Sequence, residues 1–247
     1  VKSEASPPAA KQELIVFAAS SLADVFGDLE QRFEKSNPGV DVVLNLAGSQ
    51  ALRVQIDQGA SVDVFVSASD AHMTALQKAG LMGPSKLLAE NLLVLVTPED
   101  NPAKLDAFAD LPKAKRIVLG AAEVPVGSYT DKLLANTAKT LGPTFEKNVM
   151  AHVVSREANV RLVLAKVELG EADAAIVYRT DVETGKVRSI HIPEGLAEKA
   201  RYPLAISNRA RHAELAGRWA SYVTGPVGRK VLFKAGFIVP AEQRSAP

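Results

Sequence analysis

Five short stretches of this chain place neutral hydrogen-bond donors where a helix is expected to begin or a strand to end. They are Ser20-Ser21, Gly48-Ser49-Gln50, Val126-Gly127-Ser128, Asn159-Val160 and Tyr178. The first is the clearest. An apolar run, Leu14 to Phe17, passes through two alanines into two serines, and Leu22, Val25, Phe26, Leu29 and Phe33 then recur at helical spacing. That pattern predicts a buried strand feeding a helix through a serine cap. The first N–H groups of a helix have no partner within it, and its dipole is positive at that end. Small residues there leave space for a negative group. Hydroxyls and backbone N–H groups, with no cation among them, suit a small, fully ionised oxyanion held by fixed donors. Each stretch alone also has a plain reading: Ser20, Ser21 and Asn159 as caps, Gly127 as a turn residue, Tyr178 as an amphipathic residue at a sheet edge.

Other chemistries find little support. The chain has no cysteine, so disulfides, thiolate metal sites and cysteine nucleophiles are excluded. No Gly-x-Ser-x-Gly elbow frames Ser20 or Ser21, and no Gly-rich lysine loop is present. His72, His152, His191 and His212 lack metal-ligand spacing. Asp63 and Asp70 flank a strand and are expected to cap and pair structurally. Arg156 and Arg161 lie close to the donor stretches in sequence, and either anion pairing or a surface position is open to them. Lys+Arg is 29 against Asp+Glu 28, and a net charge of +1 points to neither nucleic acid nor a membrane surface. No apolar run is long enough to span a membrane.

The elements that would position the donors alternate between strand and helix. Strands are expected at Leu14–Phe17, Val40–Leu46, Asp63–Ser67, Leu92–Val96, Arg116–Gly120, Val149–Val154, Ala174–Tyr178, Val187–Ile192 and Tyr202–Ile206. Between them lie helical patterns. One is capped by Asp70, one runs from the Val126 stretch to Leu141, one spans Asn159–Leu169, and one is broken at Gly225-Pro226. The alternation predicts an α/β fold with mainly parallel sheets. Irregular element lengths favour two sheet domains over a barrel. The chain would cross between them near Leu87–Leu95 and return near Ala200–Leu204. This gives a tail at 1–12, a first lobe from 13–90 and 201–247, and a second lobe from 91–200. The tail, rich in Ala, Pro, Ser and Lys, reads as what remains after removal of an export signal. In open α/β sheets ligands bind beyond the carboxyl ends of strands, which puts two donor stretches on one lobe and three on the other.

In the order and spacing of these stretches the chain resembles the periplasmic molybdate-binding proteins of ABC importers, with the two-lobed type II periplasmic binding protein fold. The matching segments are Val16–Leu22, Ala47-Gly48-Ser49, Asp63–Ala68, Val124–Gly127, Ile176-Val177-Tyr178, Tyr202–Ile206 and Gly225-Pro226, covering the chain from about Glu13 to Val239. The resemblance implies binding of molybdate or tungstate through oxygens, with no cofactor and no direct metal ligand. It implies Ser21 and Tyr178 as hydroxyl donors and Val126 and Val160 as amide donors. In the second stretch it leaves Ser49 as the hydroxyl donor or Gln50 as an amide donor, because relatives often carry a serine where Gln50 stands. It further implies an exported, periplasmic, monomeric receptor that is not an enzyme and delivers its anion to a membrane permease. A sulfate receptor is the alternative within the class. A ligand-sensing effector domain and an enzyme on this fold are the alternatives outside it; the former would add a DNA-binding helix-turn-helix, the latter a nucleophile or base in the cleft. Phosphate is disfavoured, because its proton needs a buried acceptor and no Asp stands in the donor stretches.

Overall fold

The computed structural model describes residues 11–182 and 186–241. The expected tail therefore lies almost wholly outside the described residues; its last member, Gln12, already belongs to the first strand. In chain order the regular elements of the first half are β1 (Gln12–Ala19), α1 (Ala23–Ser36), β2 (Val40–Ala47), α2 (Ser49–Asp57), β3 (Val64–Val66), α3 (Asp70–Lys78), β4 (Lys86–Asn91) and β5 (Leu93–Pro98). Then come β6 (Ile117–Gly120), α4 (Pro125–Asn136), α5 (Phe145–Met150), β7 (Val153–Glu157), α6 (Val160–Glu168), β8 (Ala174–Tyr178), β9 (Val187–His191), β10 (Ala200–Ile206), α7 (Ala213–Thr224) and α8 (Pro226–Lys234).

The strands form two five-stranded sheets, ordered β2-β1-β3-β10-β4 and β7-β6-β8-β5-β9. The two orders are the same once β6, β7, β8 and β9 are matched with β1, β2, β3 and β4. In each sheet the first three strands are parallel, and one antiparallel strand beside the third has arrived from the other sheet. Those exchanged strands, β10 and β5, are the one reversed strand of the five in each sheet and pair antiparallel with both neighbours. Each sheet is thus mixed and mainly parallel. β5 and β10 read as ordinary apolar strands, and nothing in their composition carries strand direction. The result is a two-lobed α/β fold.

The chain crosses at Leu92, between β4 and β5, inside the expected range. It returns through residues 192–199, earlier than expected, because Ala200–Ile206 is already strand in the first sheet. Other boundaries moved for local reasons. Val149 ends a short helix, and the strand expected from it begins only at Val153. The helix expected to reach Leu141 stops at Asn136 and continues as a 3-10 turn. Asp70 is the first residue of α3 rather than its cap; the Ser69 side chain accepts from the Ala71 N–H instead.

Each lobe ties the start of its first strand to an aspartate at the start of its third. Asp63 is buried and accepts from the N–H groups of Ile15 and Arg211 (2.9 and 2.8 Å). Asp173, its counterpart, accepts from the N–H groups of Lys115 and Arg116 (both 3.0 Å) and from the Arg116 guanidinium. The expected structural role of Asp63 therefore holds. The pattern fixes the lower edge of both sheets and leaves their opposite ends, where the donor stretches lie, to face each other.

Candidate functional site

All five donor stretches converge on one cavity between the sheets. Its lining includes Ser20, Ser21, Gly48, Ser49, Val126, Asn159, Val160 and Tyr178, and its atom-free space, mouth included, is about 200 Å3. The remaining lining residues are alanines, Val124 and Pro125, so no charged side chain faces the cavity.

The first lobe contributes the ends of β1 and β2. Ser20 and Ser21 fall in a 3-10 turn before α1 and make no cap bond, so the expected serine cap is absent. Ser21 is 5% exposed, and its Oγ is 2.9 Å from Oη of Tyr202. Ser49 opens α2, is 1% exposed, and its Oγ accepts from the Ala68 N–H at 3.0 Å. That bond occupies a lone pair and leaves the Ser49 proton for the cavity. The Gln50 side chain does not line the cavity. Its Nε2 donates to the Ala158 carbonyl of the other lobe at 2.7 Å, and its Oε1 is buried without a partner. Gly48 is required where the lobes touch: a Cβ there would lie 2.5 Å from the Ala158 carbonyl oxygen.

The second lobe contributes the starts of α4 and α6 and the end of β8. Pro125 occupies the first helical turn of α4. Having no N–H, it makes Val126 the first donor of that helix. Gly127 lets α4 begin hard against β6, since a Cβ there would lie 2.0 Å from the Ala121 carbonyl oxygen. Asn159 is a true N-cap: its side chain accepts from the Leu162 N–H at 3.1 Å. The cap leaves the N–H of Val160, at the opening of α6, without an intrahelical partner. Tyr178 is 1% exposed, and its hydroxyl is buried with no hydrogen-bond partner. Burial pushes that phenol well above its ordinary pKa, helped by Tyr202 and Tyr129, so it is a proton donor. A buried hydroxyl without a partner costs about 1–3 kcal/mol, and its lining position aims that unmet need at the cavity.

Both arginines near the donor stretches are engaged elsewhere. Arg156 binds Asp131 (2.9 Å) and the Gly120 carbonyl (2.8 Å). Arg161 crosses the cleft mouth to Asp24 (2.5 Å) and the Ser20 carbonyl (3.4 Å), with Asp181 behind it at 3.7 Å. His72 also spans the lobes, donating to the Glu123 carbonyl at 2.9 Å. Among the described residues no cluster of His, Cys, Asp or Glu is arranged to hold a metal.

A family model of bacterial extracellular solute-binding proteins matches residues 14–238. The chain belongs to this family. Among solute-binding proteins of known name it is 36% identical over 242 residues to the molybdate-binding protein ModA of Mycobacterium tuberculosis, covering 96% of this chain and 89% of that one. It is 30% identical to ModA of Escherichia coli, over 92% of this chain and 89% of that one. A substrate-binding domain of a putative molybdenum ABC transporter from Clostridium difficile superposes with a TM-score of 0.70 at 28% identity, over 93% and 99% of the two chains. The periplasmic molybdate-binding protein of Azotobacter vinelandii superposes with a TM-score of 0.80 over 92% and 100%, and at 20% identity it shares the fold. The relatives named here are binding proteins rather than enzymes.

Sequence reasoning passed over Tyr202, Asn91 and Asp181. Asn91 is fully buried at the crossing between lobes and donates to Thr180 Oγ1 at 2.8 Å. Asp181 is buried and accepts from the Tyr178 N–H at 3.2 Å. Burial pushes its carboxyl up to about 7, with Arg161 pulling the other way. In the sequence Asn91 follows Glu90 and Tyr202 follows Arg201, each just before an apolar run, and no local signal sets either apart.

Proposed function

We propose that this protein is the exported receptor of an ABC importer and binds molybdate, with tungstate as an equivalent ligand. The observation that carries the reading is the cavity lining. It offers two serine hydroxyls, a buried phenol with no other partner and the N-termini of two helices, and no carboxylate. Such a set is rich in donors and holds no carboxylate to take up a proton. It favours a tetrahedral anion that has lost all its protons over a hydrogen phosphate, whose proton would find no carboxylate there. The relatives named for molybdate support the choice of anion.

In this reading Ser21, Ser49 and Tyr178 donate through hydroxyls, and Val126 and Val160 through backbone N–H groups. Gln50 acts through its amide at the start of α2 while its side chain ties the lobes together. Residues 13–90 with 201–247, and residues 91–200, are lobes that close on the anion about Leu92 and residues 192–199. The anion carries its own metal, the protein touches only oxygens, and no cofactor or catalytic step is involved. The receptor works as a periplasmic monomer and hands its anion to permease subunits in the membrane.

Calorimetry tests this directly. Molybdate and tungstate should bind tightly and sulfate at least tenfold more weakly, a gap of about 1.4 kcal/mol or more. Tyr178→Phe and Ser21→Ala should each weaken molybdate binding by about 1–3 kcal/mol, because a buried anion oxygen loses its donor. Equal affinity for sulfate would overturn the choice of anion. Parent-like binding by Tyr178→Phe would remove Tyr178 from the site.

A further inference from the structure

Ser21 can serve the anion only if its hydroxyl proton points into the cavity, and the hydrogen bond it shares with Tyr202 is ambiguous: either oxygen can donate. The groups behind Tyr202 resolve it. The Asn91 side chain is oriented by its backbone neighbour, for the Leu92 N–H donates to Asn91 Oδ1 at 2.9 Å. The amide nitrogen must then face the other way, toward Thr180 Oγ1 at 2.8 Å and Tyr202 Oη at 3.5 Å. Tyr202 Oη therefore has a donor on one side, at the long limit of a hydrogen bond. On the other side, at 2.9 Å, is Ser21 Oγ, the one acceptor it meets among the described residues. A phenol has one proton, and this one has only Ser21 to go to. A phenol is also the better donor of the two hydroxyls.

We propose that Tyr202 is a positioning residue that, oriented by Asn91, donates to Ser21 and so frees the Ser21 proton for the bound oxyanion. The inference rests on the reading of the cavity as an oxyanion site and adds to it a chain of three groups, Asn91 to Tyr202 to Ser21. The phenol ring is held for the task. Tyr202 and Asn91 are both fully buried, and the Tyr202 ring packs edge-on to Phe237 (5.4 Å between centroids) and to Tyr178 (6.1 Å). Burial pushes the Tyr202 phenol far above its ordinary pKa, so it keeps its proton to donate. Because Asn91 sits at the crossing and also holds Thr180 of the second lobe, the chain begins at the point about which the lobes turn. In a linear chain each donated bond strengthens the next, so Ser21 becomes a better donor as well as a correctly aimed one.

The test is a mutant cycle read by calorimetry with molybdate. Tyr202→Phe keeps the ring and removes the hydroxyl; affinity should fall about fivefold. In a Ser21→Ala background the same change should cost nothing further, since its whole effect passes through Ser21. A role in packing alone would give the same loss in both backgrounds, and that result would overturn the proposal, as would parent-like affinity in Tyr202→Phe. Asn91→Asp provides the inverse. A carboxylate there accepts a hydrogen bond from the Tyr202 hydroxyl, leaves the phenol oxygen to accept from Ser21 and draws the Ser21 proton away from the cavity. Molybdate affinity should fall more than tenfold, and adding Tyr202→Phe should restore part of it. A loss caused by charge alone would not be rescued, and absence of rescue in a folded double variant would also overturn the proposal. If Asn91→Asp does not fold, the first cycle decides. A parent protein that fails to bind molybdate would count against the oxyanion site itself and not against the chain of groups.

Discussion

The two faces of the cleft solve one problem with different materials. The first lobe presents side-chain hydroxyls, Ser21 and Ser49, whose oxygens already have neighbours within that lobe: Tyr202 and the Ala68 N–H. The second lobe presents backbone, the opening N–H groups of α4 and α6, and a phenol whose hydroxyl has no hydrogen-bond partner. The first face is thus prepared before any ligand arrives. The second keeps an unmet hydroxyl and two unmatched helix ends, which the proposed anion would satisfy. Because matched strands in a repeated topology carry both faces, the difference is not imposed by the fold. It comes from which residues follow the strand ends: serine after β1 and β2, proline and valine after β6, asparagine and valine after β7.

Replacing glycine by alanine on each face breaks the comparison hardest. At Gly127 the new methyl would meet two backbone carbonyls of its own lobe, at 2.0 and 2.6 Å. Neither can move without shifting α4 from β6, so Gly127→Ala should lose about 3 kcal/mol of stability and most molybdate binding with it. At Gly48 the obstructing backbone atom, the Ala158 carbonyl, belongs to the opposite lobe, and the other close atoms are the flexible end of Gln50. Gly48→Ala should leave thermal unfolding of the ligand-free protein unchanged while weakening molybdate binding at least tenfold, about 1.4 kcal/mol. A drop in ligand-free stability at Gly48 equal to that at Gly127 would show that the lobes do not separate there.

Much of this contrast was legible before any coordinates. Ser20-Ser21, Gly48-Ser49, Val126-Gly127 and Asn159-Val160 stand out because donors followed by a helical pattern are a local signal, and Tyr178 because it closes an apolar strand. The alternation of elements gave the fold class for the same reason. What could not be read is non-local. The antiparallel β5 and β10 look like any apolar strand. The return crossing lies in residues 192–199, whose Ile192-Pro193-Glu194-Gly195 reads as a turn like others in the chain. The serine cap expected at Ser21 fails because Tyr202, 181 positions away, takes its oxygen. The role of Gln50 depends on a carbonyl 108 positions away.

A smaller effect separates the faces by pH. Behind Tyr178 the buried Asp181 carboxyl is pushed up to about 7 by burial, against the pull of Arg161, and Asp24 adds to the rise. In the unfolded chain that carboxyl has its ordinary value of 3.8. Between those values the folded protein holds a proton that the unfolded chain has released, so folding stability should fall as pH rises from about 4 to about 7 and level off above. Three units correspond to at most about 4 kcal/mol, and relaxation around the ion should leave about 2 kcal/mol. Asp181→Asn keeps an acceptor for the Tyr178 N–H and should flatten that slope, measured as denaturant midpoints across pH. An unchanged slope would show that Asp181 is ionised throughout this range.

The smallest expected effect concerns Gln50, the one member of the donor stretches whose side chain leaves the cavity. Its Nε2 bond to the Ala158 carbonyl joins the lobes, and such a bond contributes about 0.5–1.5 kcal/mol. Its Oε1 is buried without a partner, which cancels part of that gain. Gln50→Ala removes both and keeps the backbone N–H at the start of α2. Molybdate affinity should therefore fall by less than about 1 kcal/mol, with the change appearing in the dissociation rate because the bond exists only while the lobes are together. Ligand-free stability should not move. If Gln50 instead held the anion through its side chain, the loss would match that of Ser21→Ala, about 1–3 kcal/mol, and the first face would count three side-chain donors where the geometry gives it two.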